Sequence, residues 1–325
     1  MKKIWGFFRL SLSSSLALAA TILLGASLVG FTELRGYLAD QCSQLRLLYL
    51  LAIGLMLVPM FVFRSYVGIA IATLAALVNL SQIMPFYFSQ EAKAQSKPER
   101  ELKIVAINLW GRHNSSYNKV SKYVRKTNPD LLCLSEVNKA WLEKLKEELP
   151  EYKYSFDEGF SGGAAIFSKI PIEQTITWQL GVRRYGVRGK FNFAGKDILL
   201  ISAHPPAPYR RSLWKLRNQE FDRLASELSS MDTPAVLIGD LNTTPWSKYF
   251  KEMVNKGNLR DSELGNGIQP SWNGVLPIFP LVPIDHCLVS KNLFVVTRSV
   301  GPYVGSDHLP VCVKLQVAES KDGSS

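Results

Sequence analysis

The chain has 325 residues, 47% of them hydrophobic, and a formal net charge of +11. Its four cysteines include no CxxC pair; they do not imply a disulfide framework, and the absence of a Cys/His ligand spacing argues against a structural zinc site. The six Lys/Arg and two Asp/Glu of residues 1–88 leave a net +7 on the remainder, a balance that suits an anionic substrate or anionic lipid headgroups.

Apolar residues crowd into the first 88 positions. Three stretches, Leu10–Phe31, Leu47–Phe63 and Tyr66–Phe88, reach the roughly 17–25 residues that a helix needs to cross a bilayer core, the second only just. Lys2, Lys3 and Arg9 ahead of a leucine- and alanine-rich core could also head a signal peptide, but two further spans follow. Those three cations mark the N-terminus as cytoplasmic. The first loop mixes Glu33, Arg35, Asp40 and Arg46 with no excess of either sign, and Arg64 keeps the turn before the third span inside. The third span then exits outward, so the rest of the chain is expected on the non-cytoplasmic side of a cell membrane. Cleaving the first span would leave that side unchanged. The spans hold almost no mid-span charge, which argues against an ion or proton path. Membrane lipids are their expected partner, and no protein partner is predicted.

Residues 89–101 read as a flexible linker, 102–318 as one soluble domain and 319–325 as a disordered tail. Leu102–Asn108 reads as a buried strand. A helix is predicted over Ser115–Lys126 with Asn114 as N-cap, then a strand over Asp130–Ser135 and a helix over Asn138–Leu149. Strands follow at Gly163–Ser168, Ile172–Trp178, Gly186–Phe193 and Asp197–Ala203, a helix at Ser212–Ser229, and strands at Ala235–Gly239, Ile284–Ser290, Phe294–Val300 and Val311–Val317. So many strands with few helices between them suggest two packed sheets under flanking helices. Cys133, Cys287 and Cys312 fall in apolar, strand-like runs and read as buried thiols; Cys42 sits near the membrane region.

Polar residues gather at the strand ends. Asn108 ends the first strand and Glu136 the second; His204 follows ILLISA; Asp240 and Asn242 follow AVLIG as GDLN; Asp285 lies in PIDHCLVS; Asp307 and His308 form SDH before the last strand. Singly, each has a structural reading as a turn residue, a helix start or a satisfied core histidine. Together, acids and amides with two histidines suit a hard cation and a phosphate. Mg2+ or Mn2+ takes oxygen ligands and stabilises charge on the transferred group, a carboxylate activates water, and a histidine donates to the phosphate or the leaving oxygen. His286 follows Asp285 on one strand, so it points to the opposite face and reads as structural. His113 lies in the loop after Asn108. Arg183, Arg184, Arg188, Arg210 and Arg211 read either as phosphate contacts or as solvated surface. Trp246 and Trp272 read as packing, with stacking on a base or sugar as the functional alternative.

The segments IVAINLWG, LLCLSEVN, ISAHPPAP, VLIGDLNTTPWS, PIDHCLVS and GSDHLPVCV stand in the order of the endonuclease/exonuclease/phosphatase superfamily. The chain resembles that superfamily over about 103–317, closest to a bacterial branch with membrane spans ahead of the domain. The resemblance implies an α/β (α+β) fold: a four-layer sandwich of two packed, mainly antiparallel sheets flanked by helices, here preceded by transmembrane helices. It implies Glu136, Asn108 and Asp307 at the metal, and Asp240 positioning the attacking water. Asn242 would contact the phosphate, His204 and His308 would be the catalytic histidines, and Asp285 would orient one of them. Arg188, Arg210 and Trp246 are the expected substrate-binding residues. ISAHPPAP departs from the Thr-His-Leu run of many members, and no DNA-gripping loop or inositol-phosphatase motif is present. The implied activity is a membrane-anchored, metal-dependent phosphoesterase acting on nucleic acid, phospholipid or another phosphoester. The alternative is a catalytically inactive membrane-bound interaction module, against which the retention of every expected catalytic residue speaks.

Overall fold

A computed structural model describes residues 2–32, 34–88, 101–158, 162–180, 184–274 and 281–317; the expected linker residues 89–100 and the tail lie outside them. The chain divides into two compact units, one of Met1–Phe88 with Thr244–Lys251, the other of Ser89–Thr243 with Glu252–Ser325. The domain boundary is therefore not a single cut in the sequence.

The first unit is helical: α1 (Lys2–Phe31), α2 (Tyr37–Gln44), α3 (Arg46–Val62), α4 (Tyr66–Ile83) and α5 (Pro85–Phe88). Ser11–Phe31 and Tyr66–Phe88 are each long and apolar enough to cross a membrane. The pair α2–α3 is bent by 59° and makes a third span only if it counts as one. Small or slender residues, Ala20, Ile53, Ala72 and Ala75, are buried between the helices, as expected where backbones approach closely. Leu55, Val58 and Phe61 on α3 stay 69%, 68% and 78% exposed, an apolar face without protein cover. Arg46 is buried and donates to Asn79 Oδ1 (3.2 Å) and the Gly30 carbonyl (2.8 Å). Within the same unit the Thr244 N–H donates to Gln44 Oε1 (2.8 Å) and the Ser247 hydroxyl to Asp40 Oδ1 (2.6 Å).

The second unit runs β1 (Leu102–Asn108), α6 (Tyr117–Thr127), β2 (Leu131–Val137), α7 (Lys139–Glu148), β3 (Tyr154–Asp157), β4 (Gly163–Ser168), β5 (Ile172–Leu180), β6 (Arg184–Phe193), β7 (Lys196–Ser202), α8 (Arg211–Ser229), β8 (Ala235–Asp240), α9 (Lys248–Lys256, its first turn in the other unit), β9 (Leu259–Asp261), β10 (Asp285–Ser290), β11 (Leu293–Val300) and β12 (Val311–Val317). Two six-stranded sheets result, ordered β11-β12-β1-β2-β4-β3 and β5-β6-β7-β8-β10-β9. Each is antiparallel except for one central parallel pair, β1/β2 and β7/β8. A parallel pair needs a crossover, which α6 and α8 supply.

Strand alternation explains the layers. Ile104, Ala106, Leu131 and Cys133 face inward against Phe191, Ile198, Leu200, Val236, Ile238 and Cys287 in one core between the sheets. Val105, Ile107, Leu132 and Leu134 face outward against Val120 and Val124 of α6 and Trp141 and Leu145 of α7. The arrangement is a two-sheet α/β sandwich, as the sequence implies. Cys312 is only half-buried, because β12 alternates between covered and open positions. The N-cap of α6 also differs. Asn114 Oδ1 accepts from the Ser116 N–H (2.8 Å) in a local turn, and the helix starts two residues later than predicted. Asn138 does cap α7, accepting from the Trp141 N–H at 3.0 Å.

Candidate active site

Each parallel pair directs two strand ends to the same kind of position: Asn108 and Glu136 close β1 and β2, His204 and Asp240 close β7 and β8. The carboxyl ends of such strands are where open α/β sheets present their sites. The Asn108 amide ties the group together. Its Nδ2 donates to Asp240 Oδ2 (2.9 Å) and Glu136 Oε1 (3.2 Å) and lies 3.5 Å from His308 Nε2. His204 bridges the same acids, with Nε2 3.5 Å from Glu136 Oε1 and Nδ1 3.5 Å from Asp240 Oδ2. His308 Nε2 is 3.6 Å from Asp240 Oδ2, while its Nδ1 sits 2.8 Å from Asp285 Oδ2. Asp285 therefore orients His308, an alternative that the sequence leaves open. Asn242 donates its N–H to Asp240 Oδ1 (2.9 Å) and its Nδ2 to the Pro205 carbonyl (2.9 Å).

Backbone strain concentrates here. Glu136 and Asn242 stand at φ 54° and 51°, Trp110 at 59° and Gly239 at 139°. Strained residues persist only where their surroundings over-determine them. At Glu136 the β2/β4 register breaks between Leu134 and Val137, and the irregularity re-aims the carboxylate.

Charge is arranged to match. Burial alone would raise the Glu136 pKa, but hydrogen bonds and charge from His204, with help from Asn108 and His308, hold it down at about 2. Burial would likewise discharge His308, yet the Asp285 and Asp240 carboxylates raise it to about 10, so it is an imidazolium at neutral pH. Asp240 is raised, chiefly by burial and secondly by Asp285, against the pull of the two histidines. Asp285 is lowered despite burial, because it pairs with His308 and accepts from Ser271.

The residues fit a hard cation. Asp307 Oδ2 accepts from the Trp272 indole N–H (3.1 Å), while its buried Oδ1 has no side-chain hydrogen-bond partner among the described residues. Burial raises its pKa, and the charge of Glu136 adds to the rise. Two neighbouring carboxylates with an unpartnered oxygen are suited to Mg2+ or Mn2+. Asn108 turns its Nδ2 to the acids and its Oδ1 to the Trp110 N–H (2.9 Å), so in this arrangement it fixes Glu136. Asp240, Asp285 and His308 could also bracket an ion by distance, but Asp285 and His308 already satisfy each other.

The three expected substrate-binding residues are not drawn into this cluster. Arg188 is ion-paired with Glu227 of α8. Arg210 is exposed at the start of α8, its guanidinium over the Tyr209 ring. Trp246 is 2% exposed and packs edge-on against Phe86, 6.4 Å between centroids. The Trp272 indole N–H is held by Asp307. His113 is exposed beside Trp110. Arg183 lies outside the described residues, as does the side chain of Arg184. Arg217 is a residue that motif reading overlooks. It interrupts the apolar stripe Trp214, Phe221, Leu224, Ala225 and Leu228 of α8 and is fully buried, with Nη1 on the Asn242 carbonyl (3.1 Å). A charge in the middle of an apolar helix face is the sequence signal that marks it.

A two-sheet α/β sandwich with buried carboxylates, amides and histidines at the ends of its central strands defines a class of phosphate-handling folds. Residues 105–308 match the Endonuclease/Exonuclease/phosphatase family, and the chain belongs to it. A DNA-(apurinic or apyrimidinic site) endonuclease of Dictyostelium discoideum is 28% identical over 155 residues, covering 44% of this chain and 42% of the relative. Sphingomyelinase C 2 of Leptospira interrogans is 23% identical over 241 residues, 58% of this chain and 38% of the relative. The chain thus spans less than half the length of either. An endonuclease/exonuclease/phosphatase from Beutenbergia cavernae shares the fold, with a TM-score of 0.56 at 19% identity over 68% of this chain and 72% of that one.

Proposed function

We propose that this chain is a membrane-anchored, metal-dependent phosphoesterase that cleaves a phosphodiester by attack of water. The observation that carries the reading is the Asn108 amide, which binds Glu136 and Asp240 at once with His308 beside it. Two relatives of very different substrate, one named for abasic DNA and one for sphingomyelin, support phosphodiesters as the class.

Glu136 and Asp307 would hold the cation, with Asn108 keeping the Glu136 carboxylate in place. When bound, Mg2+ or Mn2+ offsets charge on the phosphoryl oxygens. Asp240 is buried and has a raised proton affinity, which suits it to take a proton from water as the oxygen attacks phosphorus. The bond from phosphorus to the leaving oxygen breaks in the same displacement. The His308 imidazolium, oriented by Asp285, supplies positive charge to the phosphoryl group and a proton to the leaving oxygen. His204 and Asn242 donate to the remaining oxygens.

The test uses the full-length chain in detergent with bis(p-nitrophenyl) phosphate, a DNA oligonucleotide and sphingomyelin vesicles. Hydrolysis of at least one should need Mg2+ or Mn2+, and Glu136→Gln should raise the metal concentration for half-activity by about 10–100-fold, the usual range for losses around a metal site. Full turnover in excess EDTA would rule the mechanism out.

A further inference from the structure

Asn242 occupies the left-handed region in the turn after β8. Its side chain and N–H are held by Pro205 and Asp240, but two side chains remote in sequence hold the turn itself. Arg217 of α8 donates Nη1 to the Asn242 carbonyl at 3.1 Å. His286 of β10 lies 2.8 Å through Nε2 from the next carbonyl, that of Thr243. A carbonyl can only accept, so Nε2 carries the proton. Both side chains are fully buried.

Neither placement is what packing alone would choose. A buried guanidinium is costly, and an apolar residue would complete the stripe of α8. The guanidinium is also satisfied on its other side, through Nε and Nη2 on Asn218 Oδ1 at 3.0 and 2.7 Å. His286 belongs to a second buried group, with Asp261 Oδ2 3.9 Å from its Nδ1. In that group Arg298 donates to Gln269 Oε1 and to the Asp285 carbonyl, both at 2.8 Å, and lies 3.6 Å from Glu263 Oε1. Asp261, Glu263 and His286 lie close enough to bracket a cation, but Arg298 already supplies the positive charge that the two acids call for. The group braces β10.

We infer that Arg217 and His286 are positioning residues that clamp two successive carbonyls and keep Asn242 aimed at the reacting phosphoryl group, without touching substrate. The inference rests on the proposed phosphoesterase reading for what Asn242 does.

The experiment uses full-length protein in detergent, bis(p-nitrophenyl) phosphate and Mn2+. His286→Phe keeps ring volume and removes the donor; it should lower kcat by about 10–100-fold, as losses of supporting hydrogen bonds do, with KM and Mn2+ affinity unchanged. His286→Gln, which restores a side-chain N–H, should recover most of that loss. In an Asn242→Ala background His286→Phe should cost nothing further. Peptide-level hydrogen exchange should show faster exchange of 238–246 in His286→Phe while β1 and β2 keep wild-type protection. Equal kcat for the Phe and Gln variants, an additive loss in the Asn242→Ala background, or unchanged exchange would overturn the clamp. If His286→Phe does not fold, the comparison of Arg217→Met with Arg217→Lys decides by the same criteria. A wild type inactive on bis(p-nitrophenyl) phosphate, the DNA oligonucleotide and sphingomyelin alike would instead defeat the phosphoesterase reading, and the exchange measurement would still judge the clamp.

Discussion

Asp240 and His308 show how much one buried contact set can carry. Asp240 touches Asn108, His204, His308 and the Asn242 backbone at once. In the proposed reaction it is the base that takes a proton from water. Asp240→Asn or His308→Ala should therefore cut kcat by at least the roughly 10²–10⁴-fold typical of acid–base help, with the thermal transition little changed. Because both serve one step, the double variant should be scarcely slower than the poorer single. Multiplicative losses in steady-state rates would show that the two act independently. Both were legible in the sequence because Asp240 ends a buried strand and His308 leads into one, where a polar side chain needs a reason to stand. Arg217 was not, since it lies inside a helix with no motif around it. The expectations for Arg188 and Trp246 rest on residue type alone: a basic or aromatic residue near a motif shows its type but not its partner, and Glu227 and Phe86 are the partners here.

At the scale of elements, the close approach of β7 and β8 depends on Gly239. A Cβ there would stand 2.2 Å from the Ala203 carbonyl oxygen, and φ is 139°. Ala203 and Gly239 precede His204 and Asp240, so the two strand ends that carry these candidate residues meet across a glycine. Gly239→Ala should cost on the order of 1–3 kcal/mol in stability, the range for such backbone strain, and should lower activity as the strands move apart. A calorimetric transition equal to wild type would show that the turn absorbs the methyl group. The long apolar strands were readable because both faces are covered, leaving continuous hydrophobic runs. β3 and β9 were not. β3 is half-buried along its length and β9 has three residues, so neither presents a run or a clear alternation. The single parallel pair in each sheet was likewise hidden, because pairing direction leaves no trace in composition.

For the whole molecule, the apolar helices ahead of the sandwich would decide on which side of a membrane the proposed reaction takes place. By the positive-inside rule, Lys2, Lys3, Arg9 and Arg64 are expected to hold their loops on the cytoplasmic side. A reporter that fluoresces only in the cytoplasm, fused after Ser325, should stay dark. Bright cells would reverse the orientation and turn the substrate search to cytoplasmic nucleic acid.

That outcome reduces to a question of parity set by the 59° bend between α2 and α3. Two crossings return the chain to the side where it began; three deliver it to the other. α3 has 17 residues, about 26 Å at roughly 1.5 Å per residue, just enough for a hydrocarbon core of about 30 Å with its flanking residues. Its Leu55, Val58 and Phe61 are exposed, as the outer face of a crossing helix would be. With three crossings, shortening α3 by one turn is expected to change that parity and carry the sandwich domain to the opposite compartment, away from one set of candidate phosphodiesters and toward another.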